Sequence, residues 1–175
     1  MSGADAVCFG TLGQRGQSPR AGIRKAMQLA KEKGIIRVHD VNLRPPFFDD
    51  ALIRDSLALC SVYKLSDDEL ERVCQACGIQ LSDDPLQSLQ AILEKYALDV
   101  LVMTKGAEGA VLLTSDSTHE QPGVKATIVD TVGAGDSFTA ALTLGLLRKD
   151  SFPEILRHAC EVAAEVCSHA GAVPA

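Results

Sequence analysis

The sequence predicts an α/β protein built on a largely parallel sheet, and three observations carry that expectation. Short apolar or β-branched segments alternate along the chain with longer segments of helical periodicity. The apolar segments are nearly continuous rather than alternating, as strands buried on both faces are. Helices between successive strands suit right-handed crossovers, which lay the units into one sheet with helices on both faces. With 175 residues and 46% hydrophobic content, the chain is expected to form a single domain over residues 1–175.

The elements follow in order. Ala6 to Phe9 reads as a short strand, followed by a polar loop. A helix then opens with Ser18 as N-cap and Pro19 at its first position, and Gly34 ends it. Ile35 to His39 is the next strand, Asp49 to Cys60 a helix, and Val62 to Leu65 a strand. Asp67 to Cys77 is a helix stopped by Gly78, and Pro85 to Tyr96 is another. Val100 to Met103 and Ala110 to Thr114 are strands flanking a turn at Lys105 to Gly109. Thr127 to Asp130, with its β-branched run, reads as a strand, and helices follow at Ser137 to Leu147 and Pro153 to Ser168.

Composition excludes several functions. A formal net charge of -6 and a pI near 5.2 leave no basic field for nucleic acid or an anionic membrane surface. Met1-Ser-Gly-Ala-Asp5 is neither basic nor apolar, and no run approaches the roughly 18 apolar residues of a membrane span. Cys74-Gln-Ala-Cys77 is the one C-x-x-C among six cysteines and lacks a partner pair, so buried reduced thiols are expected, as in the cytoplasm. Cys160 and Cys167, seven apart, share a helix face. The four histidines show no metal-binding spacing and read as surface or loop residues.

Chemistry concentrates in Asp130-Thr-Val-Gly-Ala-Gly-Asp136-Ser-Phe-Thr-Ala-Ala-Leu142. Gly133 and Gly135 allow backbone angles closed to other residues, so the amides of Gly133, Ala134, Gly135 and Asp136 can converge at a helix start. Such a start attracts phosphate oxygens. Asp136 at its mouth suits a general base accepting a proton from an attacking hydroxyl, although an acid in a first helical turn also simply stabilises the helix dipole. A dinucleotide fingerprint needs a third glycine where Phe138 stands, and no Walker A loop is present.

That stretch resembles the second signature of the ribokinase-like, or PfkB, carbohydrate kinase family. Other stretches resemble the same family in the same order, in its fructokinase-like branch. They are Val7-Cys-Phe-Gly-Thr-Leu12, Asp40-Val-Asn-Leu-Arg44-Pro-Pro, Lys64-Leu-Ser66-Asp-Asp-Glu69 and Val102-Met-Thr104-Lys-Gly106-Ala-Glu-Gly109-Ala. Phe47-Phe48 stands where the branch often has Trp. The resemblance implies a three-layer α/β/α sandwich and ATP-dependent phosphorylation of a sugar hydroxyl, with Asp136 as base and the Gly133–Asp136 amides as anion hole.

It further implies that Ser66 and Glu69 act near the phosphates and magnesium, and that Thr104, Lys105, Gly106 and Gly109 approach the nucleotide. Cys160, Ala163 and Ala164 fall on the adenine side, and Asp130, Val132 and Gly171 on a potassium site. Several positions also have a structural reading. Ser66-Asp-Asp-Glu69 is a capping box, Lys105 to Gly109 a tight turn, Ala163 and Ala164 a helix-packing surface, and Arg44 a solvent-facing or ion-paired residue.

The resemblance covers the later part of the family's length, so the sugar-binding residues and the lid that serves as dimer surface have no counterpart. A truncated chain is therefore expected. Its functional alternative is a nucleotide-binding remnant or interaction module that lacks the sugar site, and a homodimer would have to form without the lid.

Overall fold

A computed structural model describes residues 3–172. The chain divides into two compact units. Among the described residues the first comprises 3–103 and 113–117, and the second 104–112 and 118–172.

In the first unit, β1 (Ala6–Gly10), β2 (Ile36–Asp40), β3 (Val62–Ser66) and β4 (Val100–Thr104, its last residue in the second unit) lie side by side in chain order. β1 pairs parallel with β2, and β2 with β3. The helices between them are α1 (Gln17–Glu32), α2 (Asp50–Leu59), α3 (Asp67–Cys77) and α4 (Pro85–Tyr96). Strand–helix–strand connections between parallel neighbours are the sequence expectation realised. Val38, Leu57, Tyr63, Leu65, Val73, Leu89, Ile92 and Leu101 are wholly buried and form the core.

Local signals set most ends. The Asp49 carboxylate accepts the Leu52 amide at 2.7 Å to start α2, and Gly78, with φ of +62°, stops α3. The C-terminal carbonyls of α3 gain cations from its neighbours. Arg54 donates to the Ala76 carbonyl at 2.7 Å and Lys95 to the Cys77 carbonyl at 2.6 Å. Helix α1 starts before its expected Ser18 cap, with Gly16 as N-cap and Pro19 inside the first turn. Pro there costs no hydrogen bond, because first-turn amides have no intrahelical partner.

The second unit holds β5 (Gly109–Leu113, its last residue in the first unit), β6 (Thr118–Pro122), α5 (Ala134–Arg148) and α6 (Phe152–Cys167). β6 has no counterpart in the sequence reading. Its residues Thr-His-Glu-Gln-Pro carry no apolar run, and the strand is half-exposed along its length. Conversely, the strand expected at Thr127 to Asp130 does not form. Ile128 and Val129 are 60% and 59% exposed, and the Val129 and Asp130 amides both donate to the Cys167 carbonyl, at 2.8 and 3.3 Å. The segment is thus tied to the end of α6 instead of joining a ladder, and β propensity lost to tertiary context.

Helices α5 and α6 pack closely at Gly145, where a β-carbon would lie 2.7 Å from Ile155 Cγ1. Helix α6 opens with a capping box, Ser151 with Glu154. Cys60, Cys74, Cys77 and Cys160 are buried thiols, as expected, whereas Cys167 is half-exposed and Cys8 exposed; burial pushes Cys160 up to about 11. His39 overturns the surface reading of the histidines: it is 1% exposed, in the middle of the β1–β3 register, between the rings of Phe9 and Tyr63.

Candidate functional site

In the first unit the C-terminal ends of β2 and β3 are bound together. The Val41 amide donates to the Lys64 carbonyl at 3.0 Å, and Lys64 Nζ forms a largely buried ion pair with Asp40 at 3.1 Å. The capping box predicted from Ser66-Asp-Asp-Glu69 is present, with Glu69 Oε2 accepting the Ser66 amide at 2.9 Å. Its second oxygen has a partner the sequence did not indicate. Glu69 Oε1 accepts the Leu43 amide at 2.6 Å from the loop after β2, where Asn42 adopts a positive φ of 40°. A reach of this kind leaves no trace in spacing.

In the second unit the chain turns sharply into α5. Gly133 is the N-cap, with φ of +85°, and a β-carbon there would meet Ala172 at 2.8 Å, so both the angle and the space demand glycine. Helix α5 begins at Ala134, three residues earlier than expected, which places Asp136 in its first turn. The Ala134 amide donates to the Thr131 carbonyl at 3.3 Å, whereas those of Gly135 and Asp136 have no intrahelical partner by helix geometry. Asp136 is exposed beside them. The start of α5 therefore offers backbone donors, positive dipole and an open carboxylate in one turn.

Asp130 organises the approach to that turn. Its Oδ1 accepts the Val132 amide and its Oδ2 the Gly171 amide, each at 3.0 Å. These donors hold the carboxyl below its usual range, so it stays negative at neutral pH. Asp130, Val132 and Gly171 thus come together, with both carboxylate oxygens taken by backbone amides. Among the described residues, no group of three or more His, Cys, Asp or Glu is placed to hold a metal ion.

Thr104 closes β4, and Lys105 to Gly109 forms the expected turn. The Lys105 amide donates to the Gly109 carbonyl at 2.7 Å, and Lys105 Nζ lies 3.9 Å from Glu120. Gly106 and Gly109 both have positive φ. A β-carbon at Gly109 would lie 2.0 Å from the Gln121 carbonyl oxygen, and one at Gly123 would lie 1.8 Å from that of Ala107. Gly123 was missed, and the Pro122-Gly123 turn dipeptide was the signal. On α6, Cys160 is buried while Ala163 and Ala164 are half-exposed, so the two alanines are not consumed by core packing.

The profile of pfkB family carbohydrate kinases matches residues 4–175. This chain belongs to that family. It is 31% identical to the fructosamine kinase of Bacillus subtilis over 97% of its own length and 67% of that kinase. To the aminoimidazole riboside kinase of Salmonella typhimurium it is 30% identical, over 85% of its own length and 46% of the relative. Among solved structures it is similar to the aminoimidazole riboside kinase of Salmonella enterica complexed with aminoimidazole riboside and an ATP analogue. The TM-score is 0.79 at 27% identity, covering 94% of this chain and 57% of that one. The fructokinase of Vibrio cholerae, bound to fructose, ADP and calcium, shares the fold, with a TM-score of 0.84 at 24% identity over 98% of this chain and 58% of that one. This pfkB chain thus spans about half to two thirds of the length of these relatives. No helix among the described residues is long and apolar enough to cross a membrane.

Proposed function

We propose that this chain is the catalytic, nucleotide-binding domain of an ATP-dependent sugar kinase of the fructokinase-like branch, working in the cytoplasm with reduced cysteines. The observation that carries the reading is the start of α5, where Gly133 turns the chain and the exposed carboxylate of Asp136 stands beside amides that the helix leaves unpaired. In this reading Asp136 takes the proton of the attacking hydroxyl. The amides of Gly133, Ala134, Gly135 and Asp136 stabilise the charge that develops on the transferred phosphoryl group.

Thr104, Lys105, Gly106 and Gly109 contact the nucleotide, and Cys160, Ala163 and Ala164 form the adenine side. The half-exposure of both alanines supports that assignment. Asp130, Val132 and Gly171 would hold potassium, for which the low-lying carboxyl is fitted. Ser66 and Glu69 would hold hydrated magnesium, which supplies charge neutralisation to the ATP phosphates when bound.

The acceptor is a small sugar carrying a free hydroxyl. Relatives named for fructose, fructosamine and aminoimidazole riboside define the panel to test. A coupled assay of ADP release against these three compounds is expected to show turnover with at least one. Tight ATP binding with no turnover on any of them would overturn the kinase reading for this chain and assign it to nucleotide binding alone.

A further inference from the structure

Strand β1 pairs with β2, and among the described residues no strand lies along its other edge. Ala6 stands opposite Ile36, whose amide donates to the Asp5 carbonyl at 3.3 Å. In a parallel ladder that register turns alternate amides toward β2 and leaves those of Ala6 and Gly10 facing away from it. Nothing in the sequence guards this edge. Ala6-Val-Cys-Phe-Gly10 has neither charge nor proline, whereas β6 of the second unit, which also has a strand on one side alone, carries His119, Glu120 and Pro122.

Helix α1 follows β1 and has a free face of its own. Of its sixteen residues only Met27 and Ala30 are buried. Arg20 and Arg24 reach Asp55 on α2, so the opposite side of the helix turns away from α2. That side carries Pro19, Gly22, Ala26 and Leu29, uncharged and spaced by three, four and three residues. Gly22 is exposed, with nothing within 4 Å of where a β-carbon would stand, and Leu29 is 38% exposed.

We propose that two copies of this chain join here, β1 antiparallel to β1 and α1 against α1, about one two-fold axis. A bare strand edge calls for a strand, and a helix stripe running from small to large calls for its own reverse. A second copy supplies both at once. An axis through the middle of β1 sets Ala6 opposite Gly10 of the other copy, and Asp5 opposite Thr11, so no like charges meet along the strands. The same axis runs α1 antiparallel to its mate, where Leu29 of one copy fills the open space over Gly22 of the other and Ala26 permits close approach. An isologous contact of this kind uses up the edge, so association stops at two. Strand and stripe together offer roughly ten residues a side, fewer than in a standard interface, which places the dimer in the micromolar range. Lys25 beside the stripe and Lys33 at its end meet their own copies, so added salt should tighten the contact, the reverse of what an acidic partner would show.

Sedimentation equilibrium of the intact chain between about 1 and 200 µM tests this, with a monomer–dimer equilibrium expected. Monomer throughout, growth beyond two, or a dimer that loosens as salt is raised would overturn the proposal. In the dimer the Ala6 amide should exchange at least about tenfold more slowly than in the monomer, and equal rates would count against it equally. Leu29→Lys and Ala6→Pro are each expected to weaken dimerisation at least about tenfold. Proline at position 6 removes no bond to β2, because that amide faces away from it; where the variant nonetheless folds poorly, Leu29→Lys decides. Ile128, 60% exposed on the apolar segment of the second unit, provides the contrast. Ile128→Lys should leave the dimer intact, and a dimer dispersed by Ile128→Lys but not by Leu29→Lys would move the contact elsewhere and sink the proposal.

Discussion

Asp130 Oδ2 accepts the backbone amide of Gly171 at 3.0 Å, joining the segment before α5 to the loop after α6 across 41 residues of chain. The same carboxylate holds Val132 from its other oxygen. The two strands of chain that flank the α5 turn are therefore set by one ionised side chain, and its charge state becomes a lever on both.

Because amide donors depress the Asp130 carboxyl below its ordinary 3.8, its contribution to stability has a definite sign. A lowered folded value means that the unfolded state binds the proton more readily, so the contribution is present above 3.8 and is lost as pH falls below that value. Urea unfolding of wild type and Asp130→Asn is expected to show the wild type more stable at pH 7. The two midpoints should converge on acidification below pH 4.

Substituting Asp136→Asn keeps the shape of the first turn of α5 and removes the carboxylate proposed as base. Turnover is expected to fall by about 10²-fold to 10⁴-fold, while nucleotide affinity measured by calorimetry stays within about threefold. Retained turnover would remove Asp136 from that role.

His39 is buried between Phe9 and Tyr63 with neither ring nitrogen hydrogen-bonded, and burial lowers its pKa from 6.5 to about 3. The unfolded chain takes up the proton near 6.5 while the folded one refuses it down to about 3, so stability falls as pH falls through that interval. His39→Phe preserves the ring stack and removes both unpaired nitrogens. At pH 7 it is expected to be about 1 kcal/mol more stable than wild type. Between pH 6 and pH 4 the wild type should lose roughly 1 kcal/mol per pH unit relative to the variant. Parallel pH profiles for the two proteins in thermal or urea unfolding would contradict this.

Gly109→Ala combines a φ of +99° with a β-carbon driven onto the Gln121 carbonyl. Gly145→Ala meets only the flank of Ile155. The first is expected to cost about 2–4 kcal/mol and the second about 1–2 kcal/mol, read from urea midpoints at unchanged slope. Equal costs would show that the β5–β6 connection yields more readily than its geometry implies.

Much of this was legible beforehand, and the misses have identifiable causes. The bounds of α3 and α4 were read to the residue, because Ser66, Gly78 and Pro85 are terminal signals that act within one turn. Thr127 to Asp130 was misread because its β-branched residues satisfy a strand pattern, while the contact that holds the segment, with the end of α6, leaves no mark in that pattern. The Val129 and Asp130 amides go to the Cys167 carbonyl instead. β6 was missed for the converse reason, since a half-exposed strand of Thr, His, Glu, Gln and Pro has no apolar pattern to find.

The sequence by itself determined the alternation of strands and helices, the glycine turn into α5, the capping box of α3 and the family these motifs belong to. Those are local features, encoded in side chains a few residues apart. Only the tertiary structure decided that Glu69 also holds Leu43, that Asp130 holds Gly171, that His39 lies in the core and that Ala172 closes against Gly133. Each of those depends on segments far apart in the chain arriving at one place. The partner is a backbone amide, an apolar ring or the bare space left by a missing β-carbon, and none of these has a residue signature of its own.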